Sequence, residues 1–301
     1  ASQEFPLLPI SVITNGCSGS SALMGFMREV LEAHGMAIRP RGDTELLKPT
    51  KNNFWEPALH KLIHSGEVPA NTAHEELPSL DFDKVILEAM NQTIHSAVEN
   101  DQSLLFKSMP LVVLRNRNFT VAKGLKEMGV RFAHFYRANY LDLVVCNIRD
   151  CFGDEHIGYP VFASNGTRTN ICFQLRRSKI QVKAYVNASA LPGGLHKLEE
   201  KMADDIEEFS PFAEAESFTD ETLYAYEYSS DEDVFGKSLD AWIEFFFSFG
   251  IKVDEAILIE LMRKHQDTRR LKPHSDTIAN IDEVVAALKS ANPRLDHYLR
   301  Y

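Results

Sequence analysis

Apolar and β-branched residues run from Ile10 to Thr14 and stop at a block of small residues, Asn15 to Ser21. A helical rhythm begins at once. Leu23, Phe26, Met27, Val30 and Leu31 keep i, i+3, i+4 spacing, which predicts an amphipathic helix from about Ser20 to His34, stopped at Gly35. Residues 39–100 read as loop-rich, with short helical pieces. Two short strands follow, "SLLFKS" and "VRFAHFYR"; the second alternates Val130, Phe132, His134 and Tyr136 and runs into a helix, "ANYLDLVVCNIRDCF". Strands that alternate with helices pair in parallel through crossovers. "TNICFQLRRSKIQVKAYV" reads as an antiparallel hairpin turning at Arg177 and Ser178, and "LYAYEYSS" as one more strand. Helices are expected at "SLDAWIEFFFSFGI", "VDEAILIELMRKHQ" and "IDEVVAALKSA". The expected architecture is α/β: a parallel sheet flanked by helices, with an inserted antiparallel hairpin in residues 165–190 and a helical C-terminal part. No linker-like stretch divides the chain, so residues 1–301 read as a single domain.

Composition narrows the function classes. The chain has 301 residues, 44% of them hydrophobic, which is ordinary for a globular protein. A net charge of −11 argues against a nucleic-acid partner, although the basic clusters "LRRSK" and "DTRRLKPH" suit a small polyanion. No apolar run reaches bilayer length, so no membrane partner is expected of the given chain. Cys17, Cys146, Cys151 and Cys172 lack paired metal spacing, and free thiols are expected rather than zinc ligands or a disulfide framework. That favours the cytosol. The chain opens with Ala1, and an anchor upstream would instead place it in the Golgi lumen. Asn-x-Ser/Thr triplets occur at Asn91, Asn118, Asn165 and Asn187, a pattern that chance produces often.

The small-residue block carries the candidate chemistry. Backbone N–H groups of a turn that opens a helix converge on an anion, and the helix dipole adds to the attraction. "NGCSGSS" is small enough for phosphate oxygens to approach the backbone, and the Ser20 and Ser21 hydroxyls add donors. It lacks the GxxxxGK[ST] pattern of an ordinary ATPase or GTPase. A Ser/Gly-rich loop that only caps a helix is the plain alternative. Arg137 stands where the strand "VRFAHFYR" meets the next helix, at the carboxyl edge where α/β sheets bind ligands.

Together these stretches resemble the sulfotransferases that use 3′-phosphoadenosine 5′-phosphosulfate, PAPS, especially those of the bacterial glycolipid and nodulation-factor type. That family carries Arg-x-Asn-x-x-x-x-x-Val-Ser after the corresponding strand; this chain has Arg137, Asn139, Val145 and Cys146. The family's early loop, Arg-Ser-Gly-Ser-Thr, matches Cys17, Ser18, Gly19, Ser20 and Ser21. Tyr226, Glu227, Phe249, Gly250 and Ile251 match its Tyr-Glu and Phe-Leu-Gly-Val elements, and "LKPHSDTIANIDEVVAAL" the segment after them. The likeness implies a P-loop-like sheet and does not cover the hairpin.

The resemblance also implies roles. Cys17, Ser18, Gly19, Ser20 and Ser21 would hold the 5′-phosphosulfate, and Arg137 with Cys146 the 3′-phosphate. The planar guanidinium suits a phosphate, whereas the Cys146 thiol is a poorer hydrogen-bond donor than the family's hydroxyl and reads better as a buried core residue. Cys17 takes the place of a cation beside the leaving group. "LLFKSMP" resembles the family's Lys-Thr-His-Leu-Pro through Lys107 and Pro110, so Lys107 would supply an ammonium, with Ser108 and Met109 where the His base belongs. Glu45 would be the general base, and Arg270 and Lys272, next to Arg269, would sit in a loop over the nucleotide. A solvated Lys107, an exposed Glu45 and a solvated basic run are the plain alternatives. His60 and His64 have metal-ligand spacing but no third ligand, so no metal is expected.

The reading is a sulfotransferase acting on a hydroxyl of a carbohydrate or small metabolite, with a homodimer left open. A P-loop kinase-like phosphotransferase and a non-catalytic nucleotide- or partner-binding relative are the rivals.

Overall fold

The computed structural model describes residues 8–14, 19–39, 63–66, 82–108, 119–150, 183–214, 217–227, 229–266 and 273–299. Five parallel strands form one sheet in the order β2-β3-β1-β4-β5. They are β1 (Pro9–Thr14), β2 (Ile38–Arg39), β3 (Ser103–Ser108), β4 (Arg131–Tyr136) and β5 (Phe218–Thr219). β1 lies at the centre, with Val12 opposite Lys107 of β3 and opposite Ala133 of β4. Nearly every residue of β1, β3 and β4 is buried, as expected where helices cover both faces of a parallel sheet.

The helices are α1 (Ser20–Ala33), α2 (Phe82–Glu99), α3 (Thr120–Glu127), α4 (Tyr140–Asp150), α5 (Leu191–Phe209), α6 (Asp220–Leu223), α7 (Glu232–Ser248), α8 (Glu255–His265), α9 (His274–Thr277) and α10 (Ile281–Ala291). On one face, Ile10, Val12, Leu105 and Phe135 pack in a cluster with α1, α7 and α8. Leu23, Phe26, Met27, Val30 and Leu31 of α1 are almost wholly buried there. Each such side chain is worth about 1.5–3 kcal/mol relative to exposure. Ile13, Leu104, Phe106 and Phe132 form the second cluster, with α2 and α3. A third cluster joins α4, α5 and α10 beyond the sheet.

Several sequence-based expectations need correction. The 39–100 region contains α2, a helix of 18 residues, rather than only short pieces. Its buried residues Val85, Ile86, Ala89, Met90 and Ala97 are separated by the polar run Asn91–Thr93. "LYAYEYSS" is not a strand. Thr219 and Thr222 form a capping box that turns the chain into α6, and residues Ala225–Glu227 follow as a 3₁₀ turn. The aromatics that imitated strand alternation are core residues: Tyr224 packs on Trp242, and Tyr226 on Phe235. Most of the expected hairpin lies outside the described residues. Its last residues run beside the C-terminal part, where Ala184 forms a parallel bridge to Ile278. Cys146 is disulfide-bonded, which overturns the free-thiol expectation for that residue; its partner lies outside the described residues.

The Phe249–Ile251 segment has a clear structural reason. Gly250, at φ 71°, ends α7, and Ile251 N–H donates to the Phe246 carbonyl at 3.1 Å. Arg131 donates to the Phe249 carbonyl at 2.6 Å, and a Cβ on Gly250 would collide with that guanidinium.

Candidate functional site

The carboxyl edge of the sheet brings together residues far apart in sequence. β1 ends at Thr14, and α1 starts after Gly19, whose φ of 84° is a left-handed conformation that favours glycine. The N-cap residue Gly19 has no side chain to offer the first turn of α1, and none of the helix's N–H groups is capped by that residue. Ser20 is buried and Ser21 exposed at this helix start.

Lys107 reaches the same point from β3. Its Nζ lies 3.3 Å from Ser21 Oγ and 3.5 Å from Ser20 Oγ, donating to both hydroxyls. From the other side comes Arg137, the residue after β4, with Nη2 3.8 Å from where a Cβ on Gly19 would stand. An ammonium and a guanidinium therefore flank the positive end of one helix. Their combined positive potential favours a negative group at that point.

Arg137 is oriented by an ion pair with Asp220 and a hydrogen bond to the backbone of Asp142. Asp220 Oδ2 is 3.4 Å from Nε, and the Asp142 carbonyl accepts from Nη1 at 3.4 Å. Asp220 is 5% exposed, and its Oδ1 accepts the Ala138 N–H at 2.9 Å, fixing the turn that carries Arg137. Burial raises the Asp220 pKa, against the opposing pull of Arg137 and the Ala138 N–H. Burial also raises that of Tyr136, with the Asp220 charge adding to it.

The start of α4 is anchored as firmly. Asn139 donates to the Tyr298 carbonyl at 2.9 Å, and its Oδ1 accepts the Asp142 N–H at 3.2 Å. His274, fully buried, lies with Nε2 2.9 Å from Asp142 Oδ1. The C-terminal part is thus tied to the turn that bears Arg137.

Of the residues singled out in the sequence, Gly19, Ser20, Ser21, Lys107 and Arg137 converge. Cys17, Ser18, Glu45, Arg270 and Lys272 lie outside the described residues, as does His60. Cys146, in α4, is committed to its disulfide and has no thiol proton to offer a phosphate. Sequence reasoning missed Asp220, Asp142 and His274, which touch Arg137 or its neighbours only through the fold. His34 is a structural residue: its Nε2 accepts the Asp254 N–H and its Nδ1 lies 2.7 Å from the Val30 carbonyl.

No cluster of metal ligands occurs among the described residues. A cavity of about 510 Å³ is lined by Phe119, Lys123, Asp204, Glu207, Glu208, Pro211 and Phe212. Three carboxylates against one ammonium give it the wrong sign for a polyanion, and no predicted site residue lines it. No protein-family model, no curated protein and no solved structure matches the chain.

Proposed function

We propose that the chain is a PAPS-dependent sulfotransferase built on a P-loop-like fold, acting on a hydroxyl of a carbohydrate or small metabolite. The observation that carries this reading is the convergence of Lys107, Ser20 and Ser21 at the start of α1, with Arg137 beside Gly19. A donor with a 5′-phosphosulfate and a 3′-phosphate needs two cationic contacts at separate points of one edge. Lys107 and Arg137 approach that edge from β3 and β4, on either side of the central strand.

In the proposed reaction an acceptor oxygen attacks sulfur. The new S–O bond forms as the bond from sulfur to the phosphate oxygen breaks, and adenosine 3′,5′-bisphosphate leaves with the electron pair. Negative charge builds on the leaving phosphate, where the Lys107 ammonium and the first N–H groups of α1 stabilise it. Lys107 thereby supplies the charge that Cys17 does not. The acceptor proton goes to a base, the role that the family resemblance gives to Glu45. Arg137 takes the 3′-phosphate through its Nη2 edge, with Asp220 holding its Nε.

The test is single-turnover transfer of labelled sulfuryl groups from PAPS across a panel of carbohydrate and small hydroxyl acceptors. Transfer that falls by a factor on the order of 10² or more in Lys107→Ala supports the reading. Tight donor binding with no transfer to any acceptor would favour a non-catalytic nucleotide-binding relative.

A further inference from the structure

The four Asn-x-Ser/Thr triplets do not stand in equivalent surroundings. Asn118 and Asn165 lie outside the described residues. Asn91 is half-buried within α2, and the hydroxyl of its partner Thr93 donates back to the Ala89 carbonyl at 2.8 Å. Asn187 is exposed, in the turn between the Ala184 bridge and α5. Here the Ser189 hydroxyl donates to the Asn187 side-chain oxygen at 2.9 Å. That bond sets the acceptor amide and the hydroxyl of the triplet side by side on the exposed surface.

The backbone before Asn187 is already fixed. Ala184 N–H donates to the Thr277 carbonyl at 2.7 Å, and Val186 exchanges hydrogen bonds with the Asn280 side chain at 3.0 and 2.8 Å. A bulky group on Asn187 therefore needs no change in those contacts. A second, chemical observation points the same way. Cys146 is disulfide-bonded, and disulfides form and persist in oxidising compartments, where N-glycans are also added.

We propose that Asn187 is the acceptor of an N-linked glycan. The donor class is an oligosaccharide carried on a lipid pyrophosphate. The Asn187 Nδ2 forms a bond to the anomeric carbon while the bond from that carbon to the pyrophosphate oxygen breaks. The lipid pyrophosphate leaves with the electron pair, and one amide proton passes to the base of the host transferase. Because attachment accompanies folding, the fold keeps what it can leave outside. Asn187 meets that condition, and Asn91 does not.

The experiment uses the full chain, secreted from cultured animal cells behind a cleavable signal and digested with peptide N-glycosidase in ¹⁸O water. Residue 187 is expected to return as ¹⁸O-labelled aspartate, and residue 91 as unmodified asparagine. Asn187→Gln and Ser189→Ala should each remove the same glycan mass, whereas Ser189→Thr should retain it. A cooperative melt in Asn187→Gln separates glycan loss from misfolding. Recovery of residue 187 as unmodified asparagine, or an unchanged glycan on that residue in Ser189→Ala, overturns the proposal. A free Cys146 thiol in the secreted chain overturns its compartmental basis. None of these readouts depends on sulfuryl transfer.

Discussion

His134 gives the fold a measurable acid sensitivity. It lies in β4, fully buried, stacked at 5.4 Å on Tyr136 and 5.3 Å from Phe209. Its Nδ1 is 2.9 Å from Ser217 Oγ, and its Nε2 has no hydrogen-bond partner among the described residues. Burial lowers the pKa from 6.5 to about 4, so the folded chain holds a neutral imidazole. The unfolded chain binds a proton below pH 6.5 that the folded chain refuses until about pH 4. Stability is therefore complete above the unfolded value and falls as pH drops through this window, where the unfolded state binds more protons. A gap of about 2.5 pH units at roughly 1.4 kcal/mol each gives about 3.5 kcal/mol in full, of which about 3 kcal/mol is lost by pH 4, where the folded imidazole is half protonated. His134→Gln keeps a polar group for Ser217 but does not titrate. Urea unfolding of both proteins at intervals from pH 7.5 to 4 checks the argument. Wild-type stability should fall by about 3 kcal/mol relative to the variant's across the window. Curves that stay parallel would refute the buried neutral imidazole.

Other consequences concern the site and its support. Lys107→Ala should weaken adenosine 3′,5′-bisphosphate binding by about tenfold, the value of one charge-assisted hydrogen bond, as read by titration calorimetry. Asp220→Asn keeps an acceptor for the Ala138 N–H but removes the charge beside Arg137; a comparable loss of nucleotide affinity with little change in melting temperature is expected. Unchanged affinity would show that Asp220 does not position the guanidinium. Gly250→Ala should cost on the order of 1–3 kcal/mol in urea unfolding, because φ is positive there and the added Cβ meets Arg131.

The legible parts of the fold were those with local signatures. β1 and α1 announce themselves because the hydrophobic period changes abruptly between them, at Asn15–Ser21. β3 and β4 are short apolar runs with a clear end, and each delivers one cation, Lys107 or Arg137, to the sheet's carboxyl edge. α2 was hidden because Asn91–Thr93 interrupts its buried stripe. α5 was hidden because Leu191, Leu195, Leu198, Met202 and Phe209 are set among the acidic residues of an exposed face. Tyr224 and Tyr226 imitated a strand because aromatic burial on a 3₁₀ turn can reproduce an alternation of two. Asp220 carried no signal at all. Its pairing with Arg137 exists only because β5 adds next to β4 and places α6 beside the β4–α4 turn.

The central claim is that one edge of the sheet binds a nucleotide with phosphates at both the 5′ and 3′ positions. Titration calorimetry of adenosine 3′,5′-bisphosphate against wild type and Arg137→Ala, with ATP and Mg²⁺ as the comparison, tests it most directly. The account predicts clear binding of the bisphosphate, far weaker binding of ATP with Mg²⁺, and loss of most of the bisphosphate affinity in Arg137→Ala. Equal binding of the two nucleotides, or undiminished affinity in Arg137→Ala, would contradict it.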